Sequence, residues 1–581
     1  MKKTYLFLLG MLLSGLCGLA QNPSFLWAER IFNTGSYKPD RGADVDADQN
    51  GFLYVTGDYY DTLVVANDTL FPDTNSFGEA FVLKAKPDGT PLWGVPIRTR
   101  GIDWGTGLSV SAAGDKIFLT GQLGSYSPAV FGDAGSGMIT KTFTNFADYV
   151  ACIDSSGQVL WAVTISSTMF GQHPSITIDN QHVYVSGTVY DNSVFSVNAM
   201  NGTMPSGQPG THSGFYILKL DMNGNHVQHV IEKAGGWLQY RTAGLTYSPA
   251  ANALFVAGSF RGCYQGTQVH YPNGLTDFFV AKYSTNLQPQ WFSAAGGGND
   301  TATTSMPEEA VGIAADAEGG VLVSGCFSEL WIVGNDTLNG SAINSAHISP
   351  FIAEFDGSGQ IAWAEEIVTS GLGFSVFTDV EVGHDGTVYW AGVMETPVSY
   401  QNNTLNGVFP QSFDFSLMKT DSLGNFDWFL SGGTVLNDYG QGVCIGGNGE
   451  IVITGGMAEM TYWQFDTLVY TASGNNNGYY DVVFAKIFDP ELYVEENPKS
   501  IAELNFSNET LSIYPNPSTG QIQVAGNFPA TITVYDLAGR TLQRTLSKNG
   551  LLDISSYADG CYVIAVQTEE VLRTARVILS R

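Results

Sequence analysis

Short runs of alternating apolar and polar residues, each ended by a polar turn, recur along most of the chain. Residues 151–161, ACIDSSGQVLW, are one example: two alternating arms flank an Asp-Ser-Ser-Gly turn, and a tryptophan lies in the second arm. Alternation with a period of two predicts half-buried β-strands, and turns of this composition predict hairpins. No long stretch has apolar residues at the helical period of 3.6, so the pattern predicts an all-β fold.

The hairpin returns at a nearly constant spacing. Its tryptophan recurs at Trp27, Trp93, Trp161, Trp291, Trp363 and Trp428, and the double gap after Trp161 contains one more copy in which Gln228 replaces the tryptophan. A second marker is a strand that ends in glycine, at Gly57, Gly121, Gly187, Gly258, Gly325, Gly392 and Gly455. Both markers predict seven copies of one unit.

Each unit is predicted to contain four strands, A to D; in the second unit they are residues 107–112, 116–121, 149–154 and 158–163. Four-stranded units repeated around an axis are β-propeller blades. The seventh copy has strands A to C but no turn glycine and no tryptophan, whereas residues 24–32 form a lone strand D before the first unit. We therefore predict a seven-bladed β-propeller over residues 21–490, closed by the N-terminal strand.

The repeat predicts where a site would lie. The loops between strands B and C have about 19 to 27 residues, which is long for simple connections, so we expect any functional site on the face that carries them. The tryptophan is expected to be an apolar plate between neighbouring blades. A lysine recurs on strand C, often five residues after an acid, and we expect ion pairs between strands; it is Lys84, Lys219, Lys282, Lys419 and Lys486.

Candidate ligand-binding residues lie in the connections between strand D and the next strand A. Counting 17 residues back from each marker glycine reaches this connection, where acids, aromatic residues and one arginine are predicted to gather around the channel mouth. The candidates are Asp40, Asp103, Trp104, Trp237, Tyr240, Arg241, Glu308 and Asp438. Carboxylates beside aromatic rings suit a sugar or a cation. An Asp before Gly is also a common turn residue that caps its own backbone, so a purely structural role stays open.

We predict no metal site and no cofactor. Five cysteines follow the first 20 residues, at scattered positions and with no Cys-x-x-Cys pair. His226 and His229 are three apart on a predicted strand, so they are expected to face opposite sides and not to chelate together. No residue pattern of a nucleophilic triad or a phosphate loop is found, and no catalytic residue is assigned.

The termini and the charge indicate an exported protein. Residues 1–20 have two lysines, an apolar run and a small-residue end, which is the pattern of a secretory signal peptide. The formal net charge is −30, and such a surface repels nucleic acid and anionic membranes, so neither is expected as a partner. No later apolar run is long enough for a transmembrane helix.

Two resemblances add to this interpretation. The repeat unit, with its strand-B Val-x-Gly, its strand-C "FVLK" or "FVAK", its turn and its tryptophan, resembles the bacterial SBBP β-propeller repeat. After a linker at residues 491–508, residues 509–581 contain Tyr514-Pro-Asn-Pro-Ser-Thr-Gly, then Val534-Tyr-Asp-Leu, then Gly560-x-Tyr-Val. This order resembles the C-terminal sorting domain of type IX secretion in Bacteroidetes, which implies a small Ig-like β-sandwich and delivery by that machinery to the cell surface or the medium.

Three functions remain open at this point. The first is a non-enzymatic surface or secreted protein that binds an extracellular glycan or protein. The second is a secreted carbohydrate-active hydrolase or lyase that uses the carboxylates of the channel mouth. The third is a structural or adhesive surface protein. The triplets "DTL", "DSL" and "DTA" also match a short acceptor pattern for O-glycosylation, although repeated turns explain them equally well.

Overall fold

The computed structural model divides the chain into two compact units, Met1–Tyr493 and Val494–Arg581. It describes residues 23–31, 39–66, 68–73, 76–124, 126–133, 135–143, 146–166, 168, 173–189, 195–205, 214–235, 240–260, 263–265, 269–270, 276–296, 309–327, 330–333, 336–339, 349–369, 375–446, 449–458, 462–471, 480–492, 511–524, 530–535, 541–547, 549–555, 557, 560–567 and 572–580. The predicted signal peptide and all but the first two residues of the predicted linker lie outside these residues. Within them the fold is all-β, as predicted, and no helix is long and apolar enough to cross a membrane.

The first unit is built of short strands. Its first half contains β1 (Ser24–Ile31), β2 (Arg41–Ala47), β3 (Leu53–Tyr59), β4 (Leu63–Val65), β5 (Asp68–Leu70), β6 (Glu79–Ala85), β7 (Pro91–Arg98), β8 (Trp104–Val110), β9 (Lys116–Leu123), β10 (Ala129–Phe131), β11 (Ile139–Lys141), β12 (Ala147–Asp154), β13 (Val159–Ser166), β14 (Ser175–Ile178), β15 (His182–Val189), β16 (Ser196–Ala199), β17 (Gly202–Pro205), β18 (Gly214–Asp221), β19 (His226–Gly235), β20 (Tyr240–Ser248) and β21 (Ala253–Phe260). Its second half contains β22 (Cys263–Gln265), β23 (Val269–His270), β24 (Asp277–Ser284), β25 (Pro289–Ala295), β26 (Glu309–Ala315), β27 (Val321–Phe327), β28 (Leu330–Val333), β29 (Asp336–Asn339), β30 (Ser349–Phe355), β31 (Ile361–Thr369), β32 (Val376–Val382), β33 (Val388–Glu395), β34 (Val398–Tyr400), β35 (Asn403–Leu405), β36 (Phe413–Thr420), β37 (Phe426–Gly433), β38 (Tyr439–Ile445), β39 (Glu450–Ala458), β40 (Tyr462–Phe465), β41 (Leu468–Thr471) and β42 (Tyr480–Phe488).

These strands form antiparallel sheets consistent with a β-propeller. The four-stranded cores run β2-β3-β6-β7, β8-β9-β12-β13, β14-β15-β18-β19, β20-β21-β24-β25, β26-β27-β30-β31, β32-β33-β36-β37 and β38-β39-β42-β1. In the last sheet the outer strand comes from the other end of the unit: β1 pairs with β42 from Ser24 opposite Phe488 to Ile31 opposite Val482. Arg30 of β1 also pairs with Asp481, and both side chains are almost completely buried.

The innermost strands, β2, β8, β14, β20, β26, β32 and β38, contact one another in this order, and β38 contacts β2. Neighbours run parallel and in register, since the backbone N–H groups of Leu108 and Val110 donate to the side-chain carboxylates of Asp44 and Asp46, each 64 positions earlier. Glycine makes this approach possible: a Cβ on Gly442 would lie 2.9 Å from the Cα of Asp44.

The long loops between the second and third strands of a sheet contain hairpins that pair with the preceding sheet, which their length alone did not predict. The hairpin β10–β11 lies in the loop after β9, yet β10 pairs with β7, the outer strand of the preceding sheet. The hairpins β16–β17, β22–β23, β34–β35 and β40–β41 pair in the same way with β13, β19, β31 and β37. Much of the loop length therefore extends the neighbouring sheet and covers its outer edge.

The repeated tryptophan lies between sheets, as predicted, and also makes a directed contact. Its indole nitrogen donates to a carbonyl in the hairpin turn of the next sheet, in the pairs Trp93–Ser155, Trp161–Met222, Trp291–Gly357 and Trp363–Ser422. Where Gln228 replaces tryptophan, its amide donates to the carbonyl of Asn286 at 3.1 Å, one residue further along the corresponding turn than the acceptor of the tryptophans. A polar contact with the turn of the next sheet is thus kept in the repeat that has glutamine in place of tryptophan.

The ion pairs predicted between strands are confirmed for two of the recurring lysines: Lys486 of β42 pairs with Glu450 of β39 at 2.8 Å, and Lys419 of β36 pairs with Asp427 of β37 at 3.1 Å. Lys84, Lys219 and Lys282 instead donate to turn carbonyls of the next sheet, those of Ser155, Thr285 and Gly357. Each Nζ also lies over an aromatic ring, 5.5 Å from its centre or closer. The lysine and the tryptophan therefore hold the same turn together.

The second unit contains β43 (Ile513–Tyr514), β44 (Gln521–Val524), β45 (Ala530–Tyr535), β46 (Thr541–Ser547), β47 (Leu551–Asp553), β48 (Gly560–Gln567) and β49 (Leu572–Leu579). They form two antiparallel sheets, β43-β44-β47 and β46-β45-β48-β49. Buried residues from both sheets, among them Ile522, Val534 and Ile564, share one apolar core.

Candidate functional site

A cavity of about 600 Å³ lies among the innermost strands of the first unit. All seven of these strands contribute to its wall, so it occupies the place where the repeats converge. Its wall is rich in carboxylates, with Asp44 and Asp46 from β2 and Asp379 and Glu381 from β32. This cavity is the candidate site.

Three of the wall carboxylates are held by backbone donors. Asp44, Asp46 and Asp379 each accept one N–H from the following residue and one from the innermost strand of the next sheet. The distant donors are Leu108, Val110 and Val443, all at 2.7–2.8 Å. These carboxylates therefore tie adjacent sheets together.

Burial raises the pKa of the acids in the wall. The pKa is about 6 for Asp46, about 7 for Asp379 and about 8 for Glu381, because desolvation disfavours the charged carboxylate. The pKa of Asp44 is also well above its ordinary value, first through burial and then through the charge of Asp379. Near neutral pH the wall is thus less negative than its composition suggests.

Arg41 and Asp58 form an ion pair at one end of the cavity, where the innermost strands begin. Arg41 opens β2 and Asp58 lies opposite it on β3, with Nε and Oδ1 2.8 Å apart. The Asp58 side chain is 2% exposed, whereas the Arg41 side chain is 40% exposed. The Arg41 side chain is therefore held by a buried carboxylate and remains partly exposed.

Trp104 and His173 add an aromatic surface at the same end. Trp104 opens β8, and its ring stacks on His173 with centres 5.7 Å apart and planes 6° apart. Both residues line the cavity, Trp104 half-buried and His173 exposed. Since neighbouring innermost strands run parallel, the stack lies at the end that Arg41 occupies. We call Arg41, Asp58, Trp104 and His173 the mouth cluster.

The predicted acids occupy a different place from the one expected. Asp40, Asp103 and Asp438 are fully buried and bind backbone at the end of the second strand of their own sheets. Asp40 accepts from Tyr60 N, Asp103 from Gly124 N and Asp438 from Ala458 N, at 2.6–2.9 Å. Burial raises the pKa of both Asp103 and Asp438 to about 7. These three residues brace loops, which corrects their expected place at the channel mouth.

Of the other predicted residues, Trp104 does line the cavity. Trp237 and Glu308 lie outside the described residues, and Tyr240 and Arg241 lie on β20 with side chains that are not described. For two of the bracing acids the next residue lines the cavity: Arg41 follows Asp40, and Trp104 follows Asp103. Successive side chains of a strand point to opposite sides, so a count that is one residue off selects the wrong side.

The histidine pair also differs from the prediction. His226 and His229 do not face opposite ways: Nε2 of His226 and Nδ1 of His229 are 2.8 Å apart. The register between β18 and β19 shifts at this point, because Leu220 is opposite His226 whereas Lys219 is opposite Gln228. The β-bulge at Val227 changes the alternation and brings the two rings together.

A comparison with protein families matches the second unit. Residues 512–580 match the secretion system C-terminal sorting domain. The match supports type IX sorting and export to the cell surface or the medium. Within this sorting domain Asn516, between two prolines, donates from Nδ2 to the carbonyl of Arg576 and accepts the N–H of Ile578, at 2.8 and 2.9 Å. The Pro-Asn-Pro segment is thereby fixed to the last strand.

For the chain as a whole the similarities are distant. It is 21% identical over 446 residues to an uncharacterized WD repeat-containing protein of Acanthamoeba polyphaga mimivirus. The aligned residues cover 65% of this chain and 31% of that protein. The chain therefore spans about a third of the length of that relative. Among solved structures, a protein of unknown function from Dyadobacter fermentans is 8% identical with a TM-score of 0.35, covering 80% of this chain and 99% of that one. PorZ of Porphyromonas gingivalis, described as a surface component of the type-IX secretion system, is 10% identical with a TM-score of 0.22, covering 93% and 81%.

Proposed function

We propose that the chain is a type IX-secreted, glycan-binding surface protein of the Bacteroidetes. Its first part, residues 21–490, is a seven-bladed β-propeller of the SBBP type, and residues 509–581 direct its sorting after removal of the signal peptide. The family match at residues 512–580 supports the export route. The ligand-binding part rests on the mouth cluster.

Three observations support the closed seven-bladed ring. The four-stranded cores follow one another in chain order, with the innermost strand of each next to that of the following sheet. The last innermost strand, β38, contacts the first, β2. Strand β1 completes the sheet of β42, so the two ends of the unit meet within one sheet by main-chain hydrogen bonds.

The Trp104–His173 stack is the observation that carries the binding function. An aromatic face beside a fixed charged group and a polar cavity is an arrangement that suits a sugar ring, because the ring packs its C–H face on the aromatic surface and its hydroxyls reach polar partners. Arg41, held by Asp58, supplies donors for a hydroxyl or an acidic substituent of the sugar. The wall acids held by backbone N–H groups serve the structure of the ring, so we assign them no catalytic step.

A glycan array with the mature chain tests the proposal. Trp104→Ala is expected to weaken binding by roughly tenfold or more, since the variant loses the aromatic face. Tyr126→Ala is the matched control, because Tyr126 is also aromatic, is 56% exposed and does not line the cavity. Equal binding by the Trp104 variant and the wild type would contradict the proposed site, and release of shorter sugars would favour a hydrolase or lyase instead.

A further inference from the structure

His226 and His229 form a close imidazole pair on the outer strand β19 of the third sheet. Their facing nitrogens are 2.8 Å apart, their ring centres are 5.1 Å apart and the ring planes make an angle of 62°. Both rings are only partly buried, so the pair is accessible to small solutes. Neither histidine lines the cavity.

A β-bulge and contacts from two neighbouring side chains hold this pair in place. Val227, the bulged residue, is 48% exposed, and the bulge turns His226 to the side of His229. Asn201 fixes the bulge from both sides, because its Oδ1 accepts the N–H of His226 and its Nδ2 donates to the carbonyl of His226, each at 3.0 Å. Phe195 packs against the ring of His229, with centres 5.6 Å apart.

The pair is in the chemical form that a metal requires. At a distance of 2.8 Å the two facing nitrogens form a hydrogen bond, so one of them donates an N–H and the other accepts it with a free lone pair. Neutral imidazoles share one N–H between the two facing nitrogens, and a neutral imidazole is the form that ligates a metal.

We infer that His226 Nε2 and His229 Nδ1 bind one divalent transition-metal ion, with Cu²⁺ preferred over Zn²⁺, in place of the shared proton. Two imidazole nitrogens at neighbouring positions of a tetragonal Cu²⁺ ion, with bonds of about 2.0 Å at about 90°, lie about 2.8 Å apart, so the rings need to turn in place but not to separate. The displaced proton moves to the other nitrogen of its own ring, and the two metal–nitrogen bonds form from the freed lone pairs. The order Cu²⁺ above Zn²⁺ follows from the general affinity series of nitrogen ligands.

Two protein ligands leave open positions on the ion. No group of three or more His, Cys, Asp or Glu arranged for a metal occurs among the residues that the structure describes. Water or an external ligand therefore completes the coordination, and the site is an exposed two-histidine metal site rather than a closed structural one.

The experiment is a Cu²⁺ titration of the mature chain at neutral pH, followed by calorimetry and by electron paramagnetic resonance. We expect one tightly held ion whose spectrum shows coupling to two nitrogens. His226→Gln and His229→Gln should each lower the affinity at least about tenfold and leave coupling to one nitrogen at most. His384→Gln is the matched control, since His384 is exposed in a turn of another sheet.

Thermal unfolding of the metal-free variants separates loss of a ligand from loss of fold. Because both rings are partly exposed, each glutamine variant should melt within a few degrees of the wild type. Unchanged affinity in either single variant overturns the inference, as does wild-type chain that binds no more Cu²⁺ than the double variant. A two-nitrogen spectrum that persists in the double variant overturns it as well.

Discussion

The indole of Trp93 donates a hydrogen bond to the carbonyl of Ser155, which lies 62 positions later in the turn of the next sheet, at 3.2 Å. The glycine of that turn, Gly157, lies under the same ring: a Cβ there would be 3.2 Å from Trp93 Cδ2. Gly224, Gly359 and Gly424 have the same relationship to Trp161, Trp291 and Trp363. The turn glycine is therefore needed twice, for its left-handed backbone and for the space that the neighbouring ring occupies.

Gly359→Ala tests this double requirement. Gly359 has φ +86°, and a Cβ would lie 2.8 Å from Trp291 Cδ2; Gly386 has φ +84°, and its nearest atom would be 3.9 Å away. Both alanines carry the backbone strain, but only the first displaces a tryptophan. We expect Gly359→Ala to lower the free energy of unfolding by about 1–3 kcal/mol more than Gly386→Ala, measured by urea denaturation. Equal losses would show that the ring contact is unimportant.

Lys419 is expected to matter more than the other recurring lysines. The last sheet has no hairpin turn to offer a carbonyl, and Lys419 instead pairs with Asp489 at 2.9 Å and Glu491 at 2.8 Å. Lys419 and Asp489 are each 1% exposed, so Lys419→Met leaves a buried carboxylate without its cation. We expect a loss of about 3–5 kcal/mol in the free energy of unfolding.

Lys282→Met is the control for that prediction, because Lys282 donates to the neutral carbonyl of Gly357. Its loss should be smaller, about 1.5 kcal/mol. Comparable thermal and urea stability of the two variants would mean that the carboxylates at the end of β42 do not replace the missing turn.

The hairpin β10–β11 should contribute stability although it lies in a long loop. Phe131 is 1% exposed and packs edge-on against Tyr149 of the next sheet core, with ring centres 5.5 Å apart. Phe131→Ala is expected to cost about 3–5 kcal/mol. Met138→Ala, in the same hairpin but 64% exposed, should change stability by less than about 0.5 kcal/mol. A Phe131 variant as stable as the Met138 variant would show that the hairpin is dispensable.

Removal of residues 21–31 tests the role of β1. Without this strand, β42 presents unpaired backbone groups at its outer edge, so the shortened chain should melt at a lower temperature and associate. A synthetic peptide of residues 24–31 should restore the elution volume of the uncut chain on size-exclusion chromatography. A peptide with the same composition in scrambled order serves as the control, and a shortened chain that stays monomeric and stable contradicts the closed ring.

The acids of the cavity wall predict how stability changes with pH. Their pKa values in the folded chain, about 6 for Asp46, about 7 for Asp379 and about 8 for Glu381, lie above the ordinary value of a carboxyl group. Between about pH 4 and pH 8 the folded state therefore binds more protons than the unfolded state. The free energy of unfolding should fall as the pH rises through this window.

Urea denaturation between pH 5 and pH 8 measures that slope, and Glu381→Gln should make it shallower. Asp154→Asn is a control of opposite sign: although burial opposes it, hydrogen bonds from Ser156 and Gln158 keep the pKa of Asp154 below its ordinary value. Its contribution is complete above the ordinary carboxyl pKa and is lost only as the pH falls below about 4, so the slope from pH 5 to pH 8 should not change. An unchanged slope in the Glu381 variant would contradict the assignment.

The sequence alone determined the all-β class, the repeated four-stranded unit and the sorting domain. Each depends on patterns within about 70 residues, namely alternation, turn composition and a short motif order. The sequence also placed Trp104 near the channel, because it lies 17 residues before the marker glycine Gly121, and Trp104 does line the cavity.

Only the tertiary structure decided which side of each strand faces the cavity and which neighbour each polar group reaches. The alternation that predicts a strand does not say where it begins, and one residue separates the buried Asp40 from Arg41 in the wall. The bulge at Val227 and the pairing of β10 with β7 depend on which strands become neighbours, and the alternation of apolar and polar residues records neither. Side-chain direction in a sheet depends on register, and register is set by partners that are distant in sequence.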